Sequence, residues 1–175
     1  MKLTVEGIEN EKGKYEQYKE VIKKQKERLM KEYTELTSKK FDCNNESNVY
    51  KLKFEKAKIS QQINNLINQL KNIKLTVFDL ELQEKFIKHE ITLSSYIENV
   101  NKNEVNKKKL KTKTDIDYEK NEMIKSKNAI KYYISIGEKD NEKLWRDIFK
   151  NAKKNYEKLT DEKNNNYISL ESKWV

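Results

Sequence analysis

Val49 to Ile91 reads VYKLKFEKAKISQQINNLINQLKNIKLTVFDLELQEKFIKHEI. From Val49 and Leu52 onward, one position in every three or four falls on a single helical stripe: Lys56, Ile59, Ile63, Leu66, Leu70, Ile73, Val77, Leu80, Glu84, Ile87 and Ile91. Only Lys56 and Glu84 among these are polar. About six heptads held in one phase exceed the usual threshold for a coiled coil. A strict seven-residue repeat implies a left-handed supercoil. As one straight helix the run would extend roughly 65 Å at about 1.5 Å per residue. The stretch Lys74–Leu82 is dense in β-formers. The heptad phase is nevertheless the same on both sides of it, so the continuous helix is the expected form.

Working back toward the N-terminus, Tyr15, Tyr18, Ile22, Leu29, Tyr33 and Leu36 follow three-four spacing, with Gln25 on the same stripe. They predict a first helix over about 11–40, preceded by an arm or short strand at 1–10. Between the two helical patterns lies Phe41-Asp42-Cys43-Asn44-Asn45-Glu46-Ser47-Asn48. Its residues favour turns and caps, which predicts an antiparallel hairpin of the first helix against the second. The hairpin and coiled-coil spine together take up 11–100.

Past Val100 the pattern fades. Residues 101–114 carry Lys107, Lys108, Lys109, Lys111 and Lys113, relieved only by Val105 and Leu110. The expectation is a basic polar loop, or a helix standing out in solvent. Apolar spacing resumes with Ile116, Met123 and Ile130, so C-terminal helices are expected over 115–175. Gly137-Glu138-Lys139-Asp140 reads as a helix end followed by a new cap at Asp140.

Composition agrees with thin helical cores. Apolar residues make up 35% of the chain and charged residues 38%, against about 45–50% and about 25% in globular domains. Proline is absent and the glycines are three, Gly7, Gly13 and Gly137, so the usual helix breakers are almost missing. The fold class expected is all-α, an elongated antiparallel coiled coil or helical hairpin with additional C-terminal helices.

Catalysis has little to build on. Cys43 and His89 are the only cysteine and histidine and lie far apart in sequence. One cysteine forms no internal disulfide and no multi-cysteine metal site. His89 reads as a partly exposed helix residue beside the seam. Three scattered glycines make no phosphate-binding loop. No enzyme, cofactor or metal is expected. Pairs such as Glu20–Lys24 and Glu35–Lys39 are ordinary surface support, contributing a few tenths of a kcal/mol each, roughly.

Two surfaces remain as candidate sites. The formal net charge is +9, nearly all from lysine, with arginine only at Arg28 and Arg146. The lysine run 107–113 is the candidate anion-binding segment, for nucleic-acid phosphates or anionic lipid. No aromatic residues interleave it to stack on bases. The second surface is the aromatic stripe Trp145, Phe149 and Tyr156, with Trp174 in the tail. Such a stripe serves either as core or as a docking face. The function expected is a non-catalytic structural or adaptor subunit, binding other chains or its own copies through the seam. A sequence-nonspecific nucleic-acid-binding accessory protein is the alternative. No window nears the length of a membrane span, and a cytoplasmic setting is expected.

Overall fold

The computed structural model describes residues 4–38 and 45–171, with side-chain surroundings up to residue 161. The described residues form four helices: α1 (Val5–Ser38), α2 (Glu46–Ile87), α3 (Leu93–Ser135) and α4 (Lys139–Glu171). The fold is all-α, as the periodicity requires. Residues 39–44, with Cys43 and most of the expected hairpin turn, lie outside the described residues, as does Trp174.

Three of the four helix starts carry a side-chain cap. Thr4 Oγ1 accepts a hydrogen bond from the Gly7 amide at 3.2 Å, Asn45 Oδ1 from Asn48 at 3.3 Å, and Thr92 Oγ1 from Ser95 at 3.2 Å. Each satisfies one amide of a first turn that has no helical partner. The expected N-terminal arm is thereby corrected: helix begins at Val5, because Thr4 caps it and Ile8, fully buried, anchors its first turn.

The helix ends are equally specific. After α3, the Gly137 amide donates to Ile134 O and the Glu138 amide to Tyr133 O, with Gly137 at φ 75°. This is the Schellman arrangement, in which one left-handed residue lets two amides fold back onto the last carbonyls. The same pair of bonds closes α2: His89 N to Phe86 O and Glu90 N to Lys85 O. Here the left-handed residue is His89, at φ 58°. The spine expected to reach residue 100 therefore ends at Ile87, and Ile91 lies in the connection rather than on a helix. His89 is an exposed turn residue, not a helical one.

The largest correction concerns 101–114. These residues are helical throughout, in the middle of α3, and the helix expected from 115 is the second half of the same element. Lysine and leucine are good helix formers. The inward positions continue at three-four spacing, but polar side chains fill them: Asn103 is 2% exposed and Lys107 half-buried. A search for apolar repeats does not register that face.

The chain divides into two compact units, Met1–Arg28 with Leu66–Lys111, and Leu29–Asn65 with Thr112–Val175. In the first, Ile8 and Ile22 of α1 are buried along with Ile73, Leu80 and Leu82 of α2. Leu80 and Leu82 lie roughly 200° apart around the helix, so α2 is covered on opposite faces. Lys12 Nζ reaches Glu84 at 2.5 Å, tying α1 to α2. The rings of Phe86 and Tyr96 stack with centroids 4.9 Å apart across the turn. Seven residues back along α2 and seven forward along α3, Asn103 Nδ2 donates to Leu75 O at 2.9 Å and to the Asp79 carboxylate, which also accepts from Lys107. That matched step marks α2 and α3 as antiparallel there.

In the second unit Ile59, Gln61, Ser126, Ala129 and Ala152 are buried. Ile59 and Gln61 again point to opposite sides of α2. Gln61 Nε2 donates to Glu122 Oε2 at 2.8 Å, and Lys125 Nζ donates to Glu122 at 2.7 Å and to Gln61 Oε1 at 3.0 Å. The charged pair carries its own compensation, as partly buried charges must.

Candidate interaction surface

The expected seam is only partly the buried stripe. Ile59, Ile73 and Leu80 are buried, while Leu52, Ile63, Leu66, Leu70, Val77 and Ile87 are half-buried on α2. Burial is shared out because α2 has helices on more than one side, as Gln61 and Leu82 show. A two-helix seam would have left those two positions in solvent.

The aromatic stripe of α4 divides. Trp145 packs edge-on against Phe54 of α2, centroids 5.2 Å apart and planes at 77°. Lys125 Nζ sits 5.6 Å from the Trp145 ring. Edge-on rings and an overlying cation are both favourable to the ring quadrupole. Trp145 is thus engaged inside its own unit. Phe149 and Tyr156 are half-buried.

The lysine run wraps around α3. Lys109 and Lys113, four residues apart, share one face; Lys108 and Lys111 share another. All four are exposed. Lys107 is half-buried and pairs with Asp79 and, at 2.7 Å, with Glu104. Its bond to Asp79, then that to Glu104, raise its pKa above the usual lysine value. Elsewhere, bonds from Lys12 and Lys88 hold the Glu84 carboxyl down to about 2. Glu20 pairs with Lys23 at 2.6 Å rather than with Lys24, which lowers the glutamate's pKa. Lys39 lies outside the described residues.

Sequence reading missed a second cationic surface. Lys113, Lys120, Lys127 and Lys131 recur on α3 at seven-, seven- and four-residue steps and fall within about 40° of one another. All are exposed. Beside the last two, α3 and α4 of the second unit enclose a groove of about 640 Å³. Its floor is Ile130, Ile134 and Phe149; its walls carry Lys127, Lys131, Lys143, Arg146 and Lys150, with Asp147 the one carboxylate lining it. Arg146 is held by Glu142 at 2.7 Å, and Lys131 Nζ lies 5.6 Å from the Tyr50 ring. The signal in the sequence was two separate lysine periods. Nothing in either period alone says that they border one groove; that needs the α3–α4 pairing, marked by Asn155 Nδ2 donating to Glu119 at 3.1 Å.

The first unit has a groove of about 410 Å³ between α1 and α2, floored by Leu70, Ile73, Val77 and Phe78. Its rim is nearly charge-balanced, with Glu16 bound to Lys19 at 2.9 Å and Glu81 two turns along α2 from Lys74. Among the described residues no three histidine, cysteine, aspartate or glutamate side chains converge as a metal site. Nor is any described helix long and apolar enough to cross a membrane. No protein-family model, curated protein or solved structure matches this chain.

Proposed function

We propose that the chain is a non-catalytic structural or adaptor subunit that holds other protein chains on its exposed helix faces, in the cytoplasm. The supporting observation is an imbalance of apolar surface. Among the described residues eight apolar side chains are almost fully buried, while thirteen large ones between Tyr18 and Leu144 are exposed, from 37% at Tyr33 to 58% at Leu93. Single exposed apolar residues are ordinary. Thirteen of them, spread over all four helices and the turn after α3, suit surfaces that are covered in an assembly. Self-association through the same faces is the homomeric form of this reading.

The test is native co-purification at low and high salt, with mass spectrometry and a nucleic-acid assay on the eluate. A defined protein partner retained at high salt is expected, because apolar burial is not screened as charge is. Loss of every protein partner at high salt refutes the reading. The second reading, a nucleic-acid-binding accessory protein, draws support from the exposed lysines of α3. It predicts retention that falls steeply with salt. Replacing Lys109, Lys111 and Lys113 by glutamine would then weaken binding, whereas Lys107→Gln would act mainly on stability, through Asp79.

A further inference from the structure

We propose that the α3–α4 groove of the second unit is the docking site for an acidic amphipathic helix supplied by a partner protein. This deepens the adaptor reading and rests on it. The groove combines two features a helix of that kind needs. Ile130 and Ile134 are one turn apart, Phe149 faces them from α4, and Ile134 is 50% exposed. An amphipathic helix reads such a floor with anchors at three- and four-residue spacing. The walls supply Lys127 and Lys131 on one side and Lys143, Arg146 and Lys150 on the other. Against these five cations stand Asp147 in the groove and Glu142 on Arg146. Glutamates flanking the apolar anchors would meet lysines on both walls, which fixes orientation and disfavours basic partners.

Other occupants fit less well. A nucleic acid would use the lysines but not the isoleucines, and Phe149 alone offers a ring for stacking. A membrane favours a continuous protruding apolar face, and here Ile130, Ile134 and Phe149 line a concavity that cations flank on both α3 and α4. A second copy would bring a chain that itself carries +9 to a basic surface.

The test uses the full chain and a fluorescent synthetic peptide of leucines at three-four spacing, with glutamate elsewhere. Two control peptides replace the leucines by serine or the glutamates by lysine. An oligodeoxythymidine strand and vesicles of phosphatidylserine in phosphatidylcholine serve as competitors. Anisotropy should show saturable binding of the acidic leucine peptide alone. Ile134→Asp, at an exposed position, should weaken it at least about tenfold, or about 1.4 kcal/mol. Lys127→Glu with Lys150→Glu should weaken it as much and raise the affinity of the lysine peptide. Circular dichroism confirms that both variants keep their helix content.

No saturable binding up to about 100 μM overturns the proposal. So does equal affinity for the serine peptide, or full displacement by the oligonucleotide or the vesicles: the surface is then a general polyanion site. A salt-resistant partner that stays with the Lys127→Glu, Lys150→Glu chain refutes the groove and leaves the adaptor reading standing. A wild-type chain that retains no partner refutes the adaptor reading itself.

Discussion

Asn103→Ala tests the packing of the first unit. Asn103 is 2% exposed, and its amide donates to Leu75 O at 2.9 Å and to Asp79 Oδ1. A neutral hydrogen bond contributes about 1 kcal/mol net, and one to an ionised acceptor about 1.5–3. The second figure belongs at its low end, because Asp79 keeps Lys107 and its side chain retains 19% exposure. Alanine returns roughly 0.6 kcal/mol through its better helix propensity. The net expectation is a loss of about 2 kcal/mol. The assay is urea unfolding followed by far-UV circular dichroism, with the slope compared between variants to confirm that the same surface is exposed. Asp79→Ala and the double variant complete a cycle, in which a coupling of about 1 kcal/mol is expected. A loss below about 0.5 kcal/mol, or additivity within that margin, would show that the buried amide does not hold α3 to α2.

Glu84 predicts a pH dependence. Its pKa is lowered to about 2 by Lys12 and Lys88, below the ordinary carboxylate value near 4.3. Its contribution is therefore complete above about pH 4.3 and disappears as the pH falls through about 2. Glu84→Gln should flatten the stability profile over that window, and an unchanged acid limb would sink the idea. Trp145→Ala should cost about 2–3 kcal/mol, less than a fully buried ring because Trp145 is only half-buried. Chemical denaturation measures it, and a cost under 1 kcal/mol, roughly the worth of an aromatic pair alone, would mean the ring is not packed as described. Gly13 and Gly137 should respond in opposite directions to alanine. Gly13 sits in open space within α1 and should gain about 0.5–1 kcal/mol, whereas Gly137, at φ 75°, should lose about 1 kcal/mol or more. Thermal melts of both variants check the signs.

What could be read in the sequence follows what apolar spacing reports. α2 was visible because Ile59, Ile73 and Leu80 recur in one phase. Gly137 announced the end of α3 because glycine is the usual left-handed closing residue. The same closure at His89 went unread, since a residue other than glycine takes positive φ uncommonly, even though histidine does so more readily than most. The cap at Thr92, directly before Leu93, was the available clue. Over 101–114 the helix stood only as the alternative to a loop, because Asn103 and Lys107 occupy inward positions that an apolar pattern leaves blank. Neither the polar tie of Gln61 to Glu122 nor the meeting of α3 and α4 that turns their lysine periods into one groove has a one-dimensional trace. Both arise when residues tens of positions apart are brought side by side.

The Schellman turn at His89 has a kinetic consequence. Across it, Phe86 and Tyr96 are ten residues apart, whereas the ties of Asn103 and Lys107 to Asp79 span 24 and 28 residues. Closing a loop of about ten residues takes on the order of 10–100 ns, and each longer closure costs more entropy. The ring pair is therefore the contact that random motion finds soonest, and once made it shortens the search for the next one up the hairpin. Helix pairing in this unit should spread outward from the turn like a zipper. A substitution at Phe86 or Tyr96 would then register mainly in the folding rate, and one at Asp79 mainly in the rate of unfolding.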